Sequence, residues 1–324
     1  MIHLKRPLIS GNVRKRDGME REYRYDNIKA LLIFLVVLGH VLENCLLGGL
    51  KTIYIIIYSF HMPMFVFISG MFSKFEPGKI VRKLAVPYVI FQTLSRMLNM
   101  GNGTLQYTTP IWNLWYLVAL IVWRLMVPFI DRKEGRMRTV ILAGSVIVAL
   151  VAGFDDTVGY YMSLSRIIVF FPFFVLGFYW RKYRCFESFF DKIRREYAII
   201  ALAAVCIIIC FISDKVDPRW LYGSYSYAEA GYNPGYRLMF MVFGLVICMA
   251  VLKLSSDEKT LFSGIGKRSM QIYLLHGFAV ALLKRVGNVW KSLGESKTFA
   301  VAVMVTMAIV AVMSVDFRRR LREK

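Results

Sequence analysis

Apolar residues in this chain come in long runs, separated by short polar stretches that are mostly basic. A helix rises ~1.5 Å per residue, so roughly 20 helical residues cross ~30 Å of hydrocarbon. Ten runs of suitable length are predicted to be membrane helices, centred on 29–47, 53–73, 84–99, 112–130, 138–154, 164–180, 197–212, 236–253, 269–286 and 298–315. The third is the weakest, being short and interrupted by Gln92 and Arg96. Pro63, Pro87, Pro172, Gly177 and Gly244 fall within spans, where neighbouring helices can satisfy the backbone groups they free. The pattern predicts an all-α, polytopic integral membrane protein. Residues 1–25 are expected to form a loose basic tail, 26–317 a ten-helix domain and 318–324 a second basic tail.

Composition narrows the class and charge sets the orientation. Of 324 residues 57% are hydrophobic, while Lys and Arg outnumber Asp and Glu by 42 to 21. Disordered, collagenous and disulfide-scaffold classes are excluded by that apolar content. With the N-terminus inside, the inner segments hold 30 Lys and Arg and the outer ones 8, the asymmetry expected of cytoplasmic loops. Both termini are therefore expected in the cytoplasm, and the charge requires no nucleic-acid partner. The opening tail contains no apolar run, so no cleavable signal peptide is expected. Cys45, Cys185, Cys206, Cys210 and Cys248 are odd in number and scattered, which points to neither disulfide nor metal. The longest outer loop, 213–237, carries Trp220, Tyr222, Tyr225, Tyr227 and Tyr232 with Asp217 and Glu229, a set that suits a carbohydrate surface or an interfacial anchor equally.

Chemistry is sought first among ionisable residues inside spans. Three of the four histidines, His40, His61 and His276, lie there. At ~1.5 Å per residue His40 is roughly 16 Å beyond Lys29 at the inner mouth, His61 roughly 12 Å from the outer side and His276 roughly 10 Å from the inner side. A short loop makes the first two helices a hairpin, so His40 and His61 can meet. Eleven residues at ~100° come within ~20° of three full turns, so Lys29 and His40 share a face. Glu43 and Asn44 follow His40 on that face, where a carboxylate can fix the ring's tautomer. Asp26, three residues before Lys29, can pair with it. A buried neutral imidazole can take a proton from a hydroxyl or attack a thioester itself. Lys74, Lys79, Arg82 and Lys83 form an inner basic set that suits a donor with phosphates, such as an acyl-coenzyme A, or simply orients the chain. Arg124 and Arg166 either snorkel or line a polar cavity that binds substrate.

These residues resemble the membrane-bound acyltransferase-3 family. Tyr25-Asp26-Asn27-Ile28-Lys29-Ala30 leading to Val37-Leu38-Gly39-His40 is similar to the family's opening helix. Ser59-Phe60-His61-Met62-Pro63-Met64-Phe65, Lys79 to Pro87-Tyr88, Leu114-Trp115-Tyr116-Leu117 with Trp123-Arg124-Leu125, Phe170-Phe171-Pro172-Phe173 and Ile272-Tyr273-Leu274-Leu275-His276 follow in family order. The likeness is strongest to the fucose 4-O-acetylase-like branch and runs from about 23 to 315. It implies an O-acetyltransferase in a bacterial plasma membrane that moves acetyl from cytoplasmic acetyl-CoA to a hydroxyl of a saccharide or cell-surface glycan. His40 corresponds to the family's essential histidine, Lys29 to its basic partner, and Arg82 and Lys83 to a basic segment toward coenzyme A. Glu43 and His61 are expected to assist His40, Lys79 to join the donor site, and Asn44, Trp115, Arg124, Arg166 and His276 to bind substrate. Membrane lipid, acyl-CoA and a saccharide are the expected partners, with no metal. Two rivals remain open at this point, a proton-coupled transporter of a polar solute and a non-catalytic subunit of polysaccharide assembly.

Overall fold

The computed structural model describes residues 22–46, 48–98, 106–157, 159, 161–285 and 293–315, so the basic residues expected in the tails lie outside the described residues except Arg24. Along the chain run α1 (Tyr23–Leu42), α2 (Gly49–Met71), α3 (Pro77–Ile80) joined through a π-turn at Val81–Ala85 to α4 (Val86–Met97), α5 (Trp115–Ile130), α6 (Gly135–Val151), α7 (Leu164–Tyr183), α8 (Glu187–Lys192), α9 (Arg195–Ile212), α10 (Tyr227–Ala230), α11 (Pro234–Leu254), α12 (Ser263–Lys267), α13 (Ser269–Arg285) and α14 (Glu295–Met313). No strand occurs among the described residues. Seven helices, α1, α2, α6, α7, α9, α11 and α14, are long and apolar enough to cross a membrane, and α5 is a shorter apolar helix. The chain is an all-α polytopic membrane protein.

Each of the ten expected segments is helical among the described residues, and three boundaries move by five residues or more, for local reasons. α1 begins at Tyr23, inside the expected tail, and Arg24 is fixed there by Asp257 at 2.5 Å. It stops at Leu42 rather than 47, because the Asn44 amide donates to the carbonyls of His40 (3.2 Å) and Val41 (3.3 Å) and closes the last turn. The third helix starts at Pro77, seven residues earlier than expected, since proline at a first helical position needs no backbone donor.

The polar pair that weakened the third segment has a structural task. Gln92 is fully buried; its amide donates to the carbonyls of Gln106 (2.8 Å) and Thr109 (3.0 Å) and accepts from the Ile111 N–H (2.9 Å). Gln92 thus pins the strand of chain that leads into Trp112 and Asn113.

Burial divides the bundle into an inner and an outer set. About two-thirds of the α1, α2 and α7 spans are buried (61, 67 and 61%), against 17% for α6 and 22% for α9 and α14. α2 and α7 touch backbone to backbone: a Cβ at Gly70 would collide with the Phe174 carbonyl, and one at Gly177 with the Phe67 carbonyl. Small residues at such crossings let helices close without a gap, the usual packing solution where lipid supplies no hydrophobic drive. That contact seats α2, and with it Tyr58, Ser69 and His61, against the centre of the bundle.

Candidate active site

The bundle has a Lys29 end and a Glu43 end, named for residues at opposite ends of α1. Near the latter, His40 Nδ1 lies 3.1 Å from the Tyr58 hydroxyl and 3.5 Å from Glu43 Oε2. The Tyr58 hydroxyl is hydrogen-bonded to Nδ1, and the Glu43 carboxylate, whose Oε2 has no hydrogen-bond partner among the described residues, adds negative charge on that side of the ring, which favours the tautomer with the proton on Nδ1 and leaves Nε2 with its lone pair. The Trp112 ring packs at 4.2 Å from the imidazole centroid, and Lys284 Nζ stands 4.7 Å from the Trp112 ring. His276 stacks on His40, centroids 5.5 Å apart and planes 22° from parallel. His276 and His61 are sealed, at 0 and 3% exposure, whereas the His40 side chain keeps 14%. Of the three membrane imidazoles His40 is the accessible one.

The two sealed rings are spoken for on one side. A carbonyl only accepts, so His61 Nδ1–H donates to Ile57 O at 2.7 Å and His276 Nδ1–H to Tyr273 O at 2.7 Å. His276 Nε2 has no hydrogen-bond partner among the described residues. Tyr58 stands between His61 and His40, 4.7 Å from the first ring and 6.1 Å from the second. The expected meeting of His40 with His61 is therefore mediated by Tyr58, while the closer partner is His276.

Below His40 a polar cavity of about 180 Å³ is lined by Lys29, Ser69, Tyr116, Arg124 and Tyr273 among apolar neighbours that include Val36. Val36 is one helical turn, ~6 Å, from His40. The Tyr273 ring is 6.0 Å from that of His276. Tyr116 donates to Phe65 O (3.1 Å) and its hydroxyl meets Ser69 Oγ at 2.6 Å. Arg124 Nε is buried with no hydrogen-bond partner among the described residues. A buried guanidinium N–H left unmatched costs energy, and here it lines a cavity. Lys29 also borders a second cavity, about 810 Å³, at its own end of the bundle.

That basin is lined by four cations, Lys29, Lys74, Arg181 and Lys182, against three carboxylates, Glu22, Asp26 and Asp131. Lys29 pairs with Asp26 at 3.1 Å, as its spacing allowed; Arg181 forks onto Glu22 with two bonds of 2.8 Å; Lys182 and Tyr183 both donate to Asp131. Burial raises the Asp131 pKa, yet these donors outweigh it and hold the carboxyl below its ordinary range.

Residues 22–315 match the acyltransferase domain of the acyltransferase-3 family. The chain belongs to that family. Curated relatives include Nodulation protein NolL of Mesorhizobium japonicum, 23% identical over 340 aligned residues that cover 90% of this chain and 85% of the relative. Nodulation protein NolL of Sinorhizobium fredii is 21% identical, covering 83% of this chain and 81% of its own. No solved structure matches. The protein is a membrane acyltransferase.

In this acyltransferase the structure groups His40 with Glu43 and His276 near one end of α1, groups Lys29 with Arg124 at the cavity below, and leaves others apart. Lys79, Arg82 and Lys83 are exposed on the π-turned helix and line neither cavity; Lys79 pairs with Glu76, and Arg82 Nε donates to Gly78 O at 3.3 Å. Their place at the basin is taken by Lys74, Arg181 and Lys182. Asn44 spends its amide on the end of α1. Trp115 stacks on Phe170 at 5.5 Å and lies 5.3 Å from the Arg166 guanidinium, which donates to Tyr222 O (3.2 Å) and Ser224 Oγ (3.2 Å) and ties α7 to the 213–237 loop. Sequence reasoning missed Tyr58 and Trp112. Tyr58 had a signal, three residues before His61 on the same helix face. Trp112 had only its place at the head of α5, since Gln92 decides where it goes.

Proposed function

We propose that this acyltransferase moves acetyl from acetyl-CoA to a hydroxyl of a saccharide or cell-surface glycan, with the Lys29 end and both termini in the cytoplasm of a bacterial cell. The observation that carries the reading is the pair of cavities sharing Lys29: the wide basin opens at one end, and the narrow cavity rises to Val36 and Tyr273, a turn below His40 and beside His276. The basin suits the phosphates of the donor, because each paired cation can exchange its carboxylate for a phosphate oxygen. The narrow cavity suits the arm that carries the thioester, with Arg124 Nε as a donor held in readiness. No metal is needed for this chemistry.

At His40 the acceptor oxygen attacks the thioester carbonyl while its proton passes to Nε2. The Tyr58 oxygen accepts from Nδ1–H and aims the ring, while the Glu43 carboxylate, 3.5 Å away, steadies the imidazolium by its charge. As the carbon–sulfur bond breaks, the leaving thiolate takes that proton back, giving the acetyl ester and free coenzyme A thiol. Base catalysis of this kind contributes about 10²–10⁴-fold. The test is release of free thiol from acetyl-CoA by the purified chain in detergent with an oligosaccharide acceptor, read beside the acceptor mass. An acetyl-sized gain that is lost in His40→Ala supports the reading; undiminished transfer in His40→Ala overturns it.

A further inference from the structure

A groove of about 400 Å³ opens on the outer flank of the bundle, away from both cavities below His40. α6 and α11 form its walls through residues such as Val146 and Leu245, α7 its floor through Phe173 and Trp180, and α8 closes one end through Phe189 and Phe190. No polar side chain contributes to the lining. Phe186, Phe189, Leu238 and Val242 are 42 to 68% exposed, so the groove is open along its length to whatever surrounds the helices. In a membrane those surroundings are acyl chains.

Its length and its ends single out the occupant. Along α11 the lining runs from Leu238 to Met249, eleven residues or ~16 Å, about half of a ~30 Å hydrocarbon core and so one leaflet. At the α8 end cations gather: Lys253 Nζ sits 5.0 Å from the Phe190 ring and donates to Phe190 O at 3.2 Å, Arg195 donates to Leu254 O at 3.1 Å, and Lys192 is exposed beside them. At the opposite end Arg237 is turned inward and buried, and Asp155 and Asp156 follow α6. Asp191 and Glu196 are also exposed at the α8 end, where Arg194 pairs with Glu196, so Lys192, Arg195 and Lys253 leave that end with a net positive charge; apolar length for one chain with net positive charge at one mouth is the complement of a phospholipid with an anionic headgroup.

We infer that this groove is a binding site for an anionic phospholipid of the leaflet at the Lys29 end, one acyl chain lying between α6 and α11 and the phosphate resting on Lys192, Arg195 and Lys253. The site also touches the chemistry. Phe173 and Met241 line both the groove and a small cavity of about 30 Å³ whose wall includes Tyr58, the residue bonded to His40. A seated chain packs behind Tyr58.

The test uses the full chain in phosphatidylcholine nanodiscs doped with phosphatidylglycerol carrying a photoreactive group on one acyl chain. Cross-links are expected on α7 and α11 peptides containing Phe173, Met241 and Leu245. Unlabelled phosphatidylglycerol is expected to compete at least tenfold better than phosphatidylcholine. Leu245→Trp fills the groove and is expected to cut labelling at least tenfold, while Leu282→Trp on α13 leaves it unchanged. The exposed pair Lys192→Gln with Arg195→Gln gives up a single exposed bond, Arg195 to Leu254 O, and is expected to erase the preference for phosphatidylglycerol with labelling still on α11. Labelling spread evenly over α9 and α14, or equal competition by the two lipids, overturns the inference. Because the readout is lipid occupancy and not acetyl transfer, it stands or falls apart from the proposed reaction.

Discussion

Two arginines sit inside this bundle in opposite conditions. Arg237, at 3% exposure, donates to Ala149 O (2.9 Å), Tyr225 O (3.0 Å) and the Tyr232 hydroxyl (3.1 Å from Nε), with the Tyr227 and Tyr232 rings at 4.5 and 5.4 Å from its guanidinium carbon. Arg124 keeps a buried Nε without a partner among the described residues and faces a cavity that also holds Lys29 and Tyr116. Both are charges in an apolar setting, Arg237 buried and Arg124 partly so, but burial is not the sharper difference between them. What separates them is unspent hydrogen-bond capacity. A folded chain that leaves a donor unmatched beside open space has a use for it, whereas one that matches every donor has finished building. The aromatic loop 213–237 follows the same logic: Trp220 stacks on Tyr232 at 5.6 Å and its N–H donates to Ala230 O at 2.9 Å, so these rings are spent on the loop's own fold.

The histidines extend the contrast and supply the sharpest way to break it. His40→Ala is expected to lower acetyl transfer by about 10²–10⁴-fold with little change in thermal unfolding, because the ring keeps exposed surface and its neighbours remain packed. A coenzyme A release assay with a parallel melting curve in detergent checks both halves. Next in size come the arginines themselves. Arg237→Ala is expected to cost about 3–5 kcal/mol of stability by stranding two carbonyls and a buried phenol, seen as early thermal unfolding. Arg124→Gln is expected to leave unfolding in place and raise the KM for acetyl-CoA about tenfold, the loss of roughly 1.4 kcal/mol of charge-assisted bonding. If the two variants exchange phenotypes, the distinction by unspent capacity is wrong.

Smaller effects refine the picture. His276→Gln is expected to lower kcat several-fold without altering the KM for acetyl-CoA, whereas His61→Gln, one shell further from His40 behind Tyr58, is expected to change neither; steady-state kinetics on both variants distinguishes the stacked ring from the remote one. The smallest effect is at the basin. Asp131 has a depressed pKa when folded, so its pairing with Lys182 stabilises the protein above the unfolded carboxyl value near ~4 and is lost as pH falls through the lower folded value. Asp131→Asn removes that part of the acid sensitivity, at most about 1 kcal/mol for a half-exposed pair, measurable as a flatter pH profile of the unfolding midpoint.

The spacing of apolar runs was enough to place ten helices, and the eleven-residue interval put Lys29 and His40 on one face of α1, because helix periodicity is a property of a single stretch of chain. Family membership was equally legible, in short motifs strung in order from Tyr25 to His276. The partners of those motifs were not. Nothing in the local pattern tells that Gln92 carries Trp112 to His40, that His276 rather than His61 lies against that ring, or that Arg181 and Lys182 line the basin while Arg82 and Lys83 point away. Those outcomes depend on how far one helix turns and slides against another, which is set by contacts such as Gly70 against the Phe174 carbonyl and Gly177 against that of Phe67. The order of residues alone says which side chains are ionisable and which of them fall within apolar runs; only the packing of the bundle decided which of them still had a bond to give.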